Sequence, residues 1–127
     1  MVLIELSVLR DYWKNVSDWV TTKRKQQILT TTPLGISGVY TSSSIDSLTF
    51  PQRNLINCQV FADQNGTLYM EVSMDGTNWD YVQCSIPVLA NVSAVMSWQN
   101  PFDRYYRFRY INGTIAQTVF RLSSTSN

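Results

Sequence analysis

Gly66 to Trp79 reads Gly-Thr-Leu-Tyr-Met-Glu-Val-Ser-Met-Asp-Gly-Thr-Asn-Trp, which leaves the chain little freedom to be anything but a strand followed by a turn. Leu68, Met70 and Val72 alternate with Thr67, Tyr69, Glu71 and Ser73, the period of two that gives a strand one apolar face. Asp75-Gly76 then allows reversal, because Gly has no Cβ to clash at positive φ and Asp tolerates that region. The chain resumes through Trp79, Asp80, Tyr81 and Val82, so a second strand is expected over 78–84.

Other segments are strand-sized too. Val39–Ser43, Ser47–Phe50, Leu55–Ala62 and Val92–Trp98 are each expected as strands. Near the carboxyl end Tyr106, Phe108 and Tyr110 alternate with Arg107 and Arg109, and Asn112-Gly113 predicts a primed turn. Ala116, Thr118, Phe120 and Leu122 then alternate with Gln117, Val119 and Arg121, which predicts a hairpin of the last two strands. Short strands at this spacing predict a mainly β fold, an antiparallel jelly-roll-like β-sandwich over residues 36–122. Residues 123–127 are expected as a flexible tail.

Residues 1–29 have a different texture. Val2, Leu6, Leu9, Trp13, Val16 and Val20 are spaced alternately by four and three, an a/d seam that predicts an α-helix from about 3 to 27. Lys23, Arg24 and Lys25 suit the last helical turn, where the dipole favours cations. The seam packs either on its own domain or on a neighbouring subunit, and for the second role Leu6, Leu9, Trp13, Val16, Trp19 and Val20 are the expected docking residues. Residues 30–35 form a linker in which Pro33 forbids further helix.

Ten Lys and Arg against nine Asp and Glu give a net charge of +1, so no basic field is available to hold a phosphate backbone and nucleic acid is not expected as a partner. No stretch approaches the ~20 apolar residues of a membrane span. Glu5, Arg10, Asp11 and Lys14 interrupt the opening apolar run, unlike a signal peptide. Cys58 and Cys84 fall on different expected strands, either as free apolar thiols or as a cross-strand disulfide.

The sequence has no histidine, which removes the commonest general base and most transition-metal sites, and no cofactor is expected. Asp63, Glu71, Asp75, Asp80 and Asp103 could serve a carboxylate mechanism, yet turns or facing arginines account for each, so no enzyme is expected. Asp75, Asn78 and Asp80 crowd one turn but lack the spacing of a calcium loop. Trp79, Tyr81, Trp98, Tyr105 and Tyr106 would suit either core packing or a sugar-stacking platform. Arg107, Arg109 and Arg121 are expected on one face with Glu71, mutually paired or aimed at a neighbour's carboxylates. Asn15, Asn65, Asn91 and Asn112 each open an Asn-x-Ser/Thr triplet, which turn chemistry and composition explain.

Taken together, Phe61-Ala62-Asp63-Gln64-Asn65-Gly66-Thr67-Leu68, the stretch Glu71 to Trp79, Arg104 to Gly113 and Ala116 to Leu122 resemble a β-sandwich domain of virion structural proteins of bacteriophages and archaeal viruses. The resemblance covers about residues 36–122 and implies capsid decoration, turret, spike or fibre proteins. It implies a virion protein that decorates or cements the capsid as a homo-oligomer, partnered by itself and other capsid proteins. The alternative is a spike-type module that binds a host glycan, with Trp79, Trp98 or the arginine face as its contact surface.

Overall fold

The computed structural model describes residues 25–46, 55–99 and 105–126. Within them lie nine strands: β1 (Lys25–Thr30), β2 (Val39–Thr41), β3 (Ile45–Asp46), β4 (Leu55–Ala62), β5 (Gly66–Ser73), β6 (Tyr81–Val88), β7 (Ala94–Gln99), β8 (Tyr105–Asn112) and β9 (Phe120–Ser126). They form two antiparallel sheets, one in the order β1-β9-β4-β7 and one in the order β2-β8-β5-β6 with β3 also on β8. Every connection crosses between the sheets except β2–β3 and β5–β6, the interleaving of a double-sheet jelly roll.

Alternation places the core. Ile56, Cys58, Val60 and Ala62 of β4 are buried and face inward, while Leu68, Met70 and Val72 of β5 and Tyr106, Phe108 and Tyr110 of β8 close on them from the other sheet. Phe120 and Leu122 of β9 complete the layer, with the Tyr110 and Phe120 rings 4.7 Å apart between centroids. Each of the larger aliphatic and Phe side chains contributes about 1.5–3 kcal/mol by leaving water. Both cysteines are free, which settles the alternative left open by the sequence. Burial, with Cys84 adding to it, pushes the Cys58 thiol up to about 12.

Several expectations are corrected. The expected helix over 3–27 falls almost wholly outside the described residues, but its last three positions, 25–27, belong to β1 and pair with β9. The same holds for the expected docking residues Leu6, Leu9, Trp13, Val16, Trp19 and Val20 and for the strand expected at 47–50, all of which lie outside the described residues. β8 and β9 are no hairpin: Asn112-Gly113 opens a longer loop, 113–119, that carries the chain into the other sheet. Residues 123–126, expected as a tail, are the second half of β9 and pair with β1 and β4 on either side. Their Ser and Thr side chains misled because a central strand needs only its backbone amides paired.

The β5–β6 hairpin exists, but its connection spans 74–80, and a bulge between Met70 and Glu71 shifts the register. Between β2 and β3 the ladder is continued by a side chain. Ser42 N–H donates to the Phe108 carbonyl at 2.8 Å while its hydroxyl accepts the Phe108 N–H at 2.9 Å, so no backbone group is stranded there.

Lys25 pairs with Ser126, so the described chain enters and leaves at one end of the sandwich. Four connections, 31–38, 63–65, 89–93 and 113–119, gather at the opposite end. No helix among the described residues is long and apolar enough to cross a membrane.

Candidate interaction surfaces

The outer face of the five-stranded sheet carries charge. Register puts Glu71 opposite Arg107 and Tyr69 opposite Arg109, all pointing away from the core. Arg107 Nε donates to Glu71 Oε1 at 3.1 Å, and Arg109 Nη1 lies 3.8 Å from Oε2. The Arg107 guanidinium also covers the Trp79 ring at 4.4 Å, while Arg109 lies 5.5 Å from the Tyr69 ring. Arg121 is absent from this face. It lies on β9 in the other sheet, 4.6 Å over the Phe61 ring, because β8 and β9 do not form the expected hairpin. Trp98 lies on β7 and packs against the core, so neither tryptophan presents an uncovered platform.

The β5–β6 loop uses its own acid. Asp75 Oδ1 accepts the Thr77 and Asn78 N–H groups, both at 2.8 Å, and the Ser73 hydroxyl at 2.9 Å; its Oδ2 accepts Asn78 Nδ2 at 2.7 Å. Donation from the Asn78 and Thr77 amides, then from the two side chains, holds the carboxyl far below the usual range. These oxygens are occupied by the turn, so the calcium reading gains no support. Gly76 takes φ 79°, the positive value that the sequence anticipated for a turn glycine.

Polar groups knit the far-end loops to one another. Asp63 accepts the Thr118 hydroxyl and the Thr118 and Val119 N–H groups, and these bonds, the hydroxyl first, lower its pKa. Asn65 Oδ1 accepts Ala90 N–H at 2.8 Å, and Leu34 and Gln117 exchange two bonds of 2.9 Å. Buried Asn112 donates Nδ2 to the carbonyls of Gly35 at 2.8 Å and Ile115 at 2.9 Å. Four aliphatic side chains stand out to solvent there, Ile36, Leu89, Val92 and Ile115 at 69%, 59%, 52% and 59% exposed, among exposed polar residues such as Ser37, Asn91 and Thr114. Sequence reading missed this end because its four loops are far apart in the chain; the turn residues Asp63, Asn65 and Asn112 were the only hint.

The outer face of the four-stranded sheet is of a third kind. Asn57, Gln59, Val95, Ser97, Ser123 and Thr125 line a hollow of about 440 Å³ with no charge in it.

The family described as the YqxG amino-terminal domain, an uncharacterised protein, matches residues 15–127. The chain belongs to this family. YqxG of Bacillus subtilis (strain 168) is 33% identical over 96 residues, 76% of this chain and 32% of the relative. XepA, a protein of the phage-like element PBSX in the same strain, is 32% identical over 96 residues, 76% of this chain and 34% of XepA. The matched part of this family member thus spans about a third of the length of the curated relatives it matches. The crystal structure of the exported protein XepA superposes with a TM-score of 0.74 at 29% identity, covering 81% of this chain and 37% of that one. A Bacillus endospore appendage pilus protein shares the fold alone, with a TM-score of 0.53 at 11% identity over 82% of this chain and 87% of that one.

Proposed function

We propose that this chain is a non-enzymatic structural module of a phage particle or phage-like element, a sandwich that decorates or cements the assembly through subunit contacts. The observation that carries the reading is the loop end, where four aliphatic side chains stand exposed on connections that are hydrogen-bonded to one another. The apolar area of that end favours association. It lies opposite the end where the described chain enters and leaves. Kinship with XepA supports the phage setting. The ionisable groups support a contact role as well, since Glu71, Asp63 and Asp75 are each engaged by neighbours within the fold.

Particles purified on a density gradient test this. The wild-type chain is expected to co-purify with them, and Ile36→Asp/Ile115→Asp to be lost from them with its circular dichroism unchanged. A wild-type chain confined to the soluble fraction, or a double variant retained on the particle, would overturn the proposal.

A further inference from the structure

The two outer faces of the sandwich differ in chemistry: that of the four-stranded sheet is lined mainly by amides and hydroxyls, with Arg121 at its rim. Across β7, β4 and β9 the register sets Ser97, Asn57 and Thr125 in one row and Val95, Gln59 and Ser123 in the next. The opposite sheet's outer face carries long charged side chains, Glu71, Arg107 and Arg109. On the four-stranded sheet short hydroxyl side chains leave the 440 Å³ hollow open, and it continues past Gln59 and Ser123 into a second of about 200 Å³ beside Phe61 and Arg121. The larger volume falls within the range of about 300–1,000 Å³ of small-molecule sites.

We propose that this face binds a neutral polysaccharide. Amides and hydroxyls can each donate and accept, which matches the two-way bonding of sugar hydroxyls, and the lack of charge in the larger hollow matches an uncharged polymer. One bond already orients the row, with Ser97 Oγ donating to Asn57 Oδ1 at 2.6 Å, which leaves the Asn57 amino group to donate. Val95 supplies apolar contact for sugar C–H faces, and Arg121, held over the Phe61 ring, adds donors at the rim. Asn57 to Phe61 spans about 14 Å along the strand, room for a short run of sugar rings. The face offers side chains only, because β4 and β9 spend their backbone groups on neighbours to either side, so an extended peptide has no ladder to join there.

Native gels cast with a soluble α-glucan, a β-glucan or a galactomannan test the proposal, with polygalacturonate as the charged control. At least one neutral gel is expected to retard the protein, undiminished by about 0.5 M NaCl, which screens charge but not neutral hydrogen bonds. Asn57→Ala/Gln59→Ala is expected to weaken retardation roughly tenfold, as two lost bonds to a ligand would. Val95→Arg, which fills the hollow from a 58% exposed position, should do the same without disturbing the fold. Unretarded migration in all three neutral gels, retardation only by polygalacturonate, or full retardation of both variants would each overturn it.

Discussion

Arg107 and Glu71 sit directly opposite each other on β8 and β5, joined by a 3.1 Å bond from Nε to Oε1, and the carboxylate side chain is only 7% exposed. A carboxylate so covered has lost most of its hydration and depends on its partners. Among the described residues, Arg107→Ala leaves it the longer contact to Arg109, and it removes the cover from Trp79. A loss of about 1–3 kcal/mol is expected, below the range for fully buried pairs because Arg107 is partly exposed. Urea denaturation measures it. Arg109→Ala should cost less, and equal costs would mean that bond geometry does not set the energy here.

Acid should weaken the fold through Asp63 and Asp75. Both carboxyls have lowered folded pKa values, so the unfolded chain takes up their protons at higher pH than the folded one. Their contribution is fully present above the unfolded value of about 3.9 and is lost as pH falls below it toward the folded values. Thermal midpoints recorded from neutral pH down to about pH 3 should drop most steeply below about pH 4. Asp63→Asn and Asp75→Asn should each flatten that drop while lowering the neutral-pH midpoint. An unchanged acid slope in both variants would show that neither set of bonds persists in solution.

The sandwich itself was legible where one side chain in two must meet the core. Leu55–Ala62 stands as expected, and the alternations at Leu68, Met70 and Val72 and at Tyr106, Phe108 and Tyr110 each give the inward face. Turn residues were less informative, because they report which φ a backbone tolerates and not where the chain goes next. Asn112-Gly113 has the composition of a primed turn, yet Asn112 is buried to bond carbonyls of two loops and the chain crosses to the other sheet. Arg121 therefore lies on the other sheet and not beside Arg107 and Arg109. β1 and the end of β9 carry mostly Lys, Gln, Ser and Thr, and only their pairing with each other and with β4 makes them strands.

Close approach at one glycine gives a steric prediction. A Cβ on Gly66 would collide with the Tyr110 hydroxyl and come within 2.8 Å of the Ile111 carbonyl oxygen. Gly66→Ala should therefore cost about 1–3 kcal/mol, the usual range for overpacking. Tyr110→Phe removes the hydroxyl but leaves the ring Cζ, 2.5 Å from that Cβ, and the backbone clash, so the double variant should recover only a small part of the loss. Full recovery, read from the urea midpoint, would mean that neither the ring edge nor the Ile111 carbonyl imposes a constraint.

Thiol chemistry should report global unfolding at Cys58. Burial raises both thiols, Cys58 to about 12, and Cys58 has no exposed surface. Only the thiolate reacts quickly, so iodoacetamide at neutral pH should leave native Cys58 unmodified and label half-buried Cys84 slowly. Both should react in urea above the unfolding midpoint. Peptide mass spectrometry distinguishes them, and native labelling of Cys58 as fast as Cys84 would contradict the packing of β4 against β5 and β8.

The loop end offers a near-isosteric test. Asn112 is buried and its Nδ2 donates to the Gly35 and Ile115 carbonyls, with the Leu34 carbonyl at 3.4 Å. Asn112→Asp keeps the shape but replaces the donor by an oxygen facing other oxygens, and ionisation would bury a charge among carbonyl dipoles. A loss of about 2–4 kcal/mol at neutral pH is expected, more than for Asn112→Ala, which removes the donor without adding repulsion. The loss should shrink on mild acidification, because protonation restores one donor. The order Asp worse than Ala, together with partial rescue by acid, is specific to a buried donor among acceptors; equal losses with no pH dependence would place Asn112 in a hydrated loop instead.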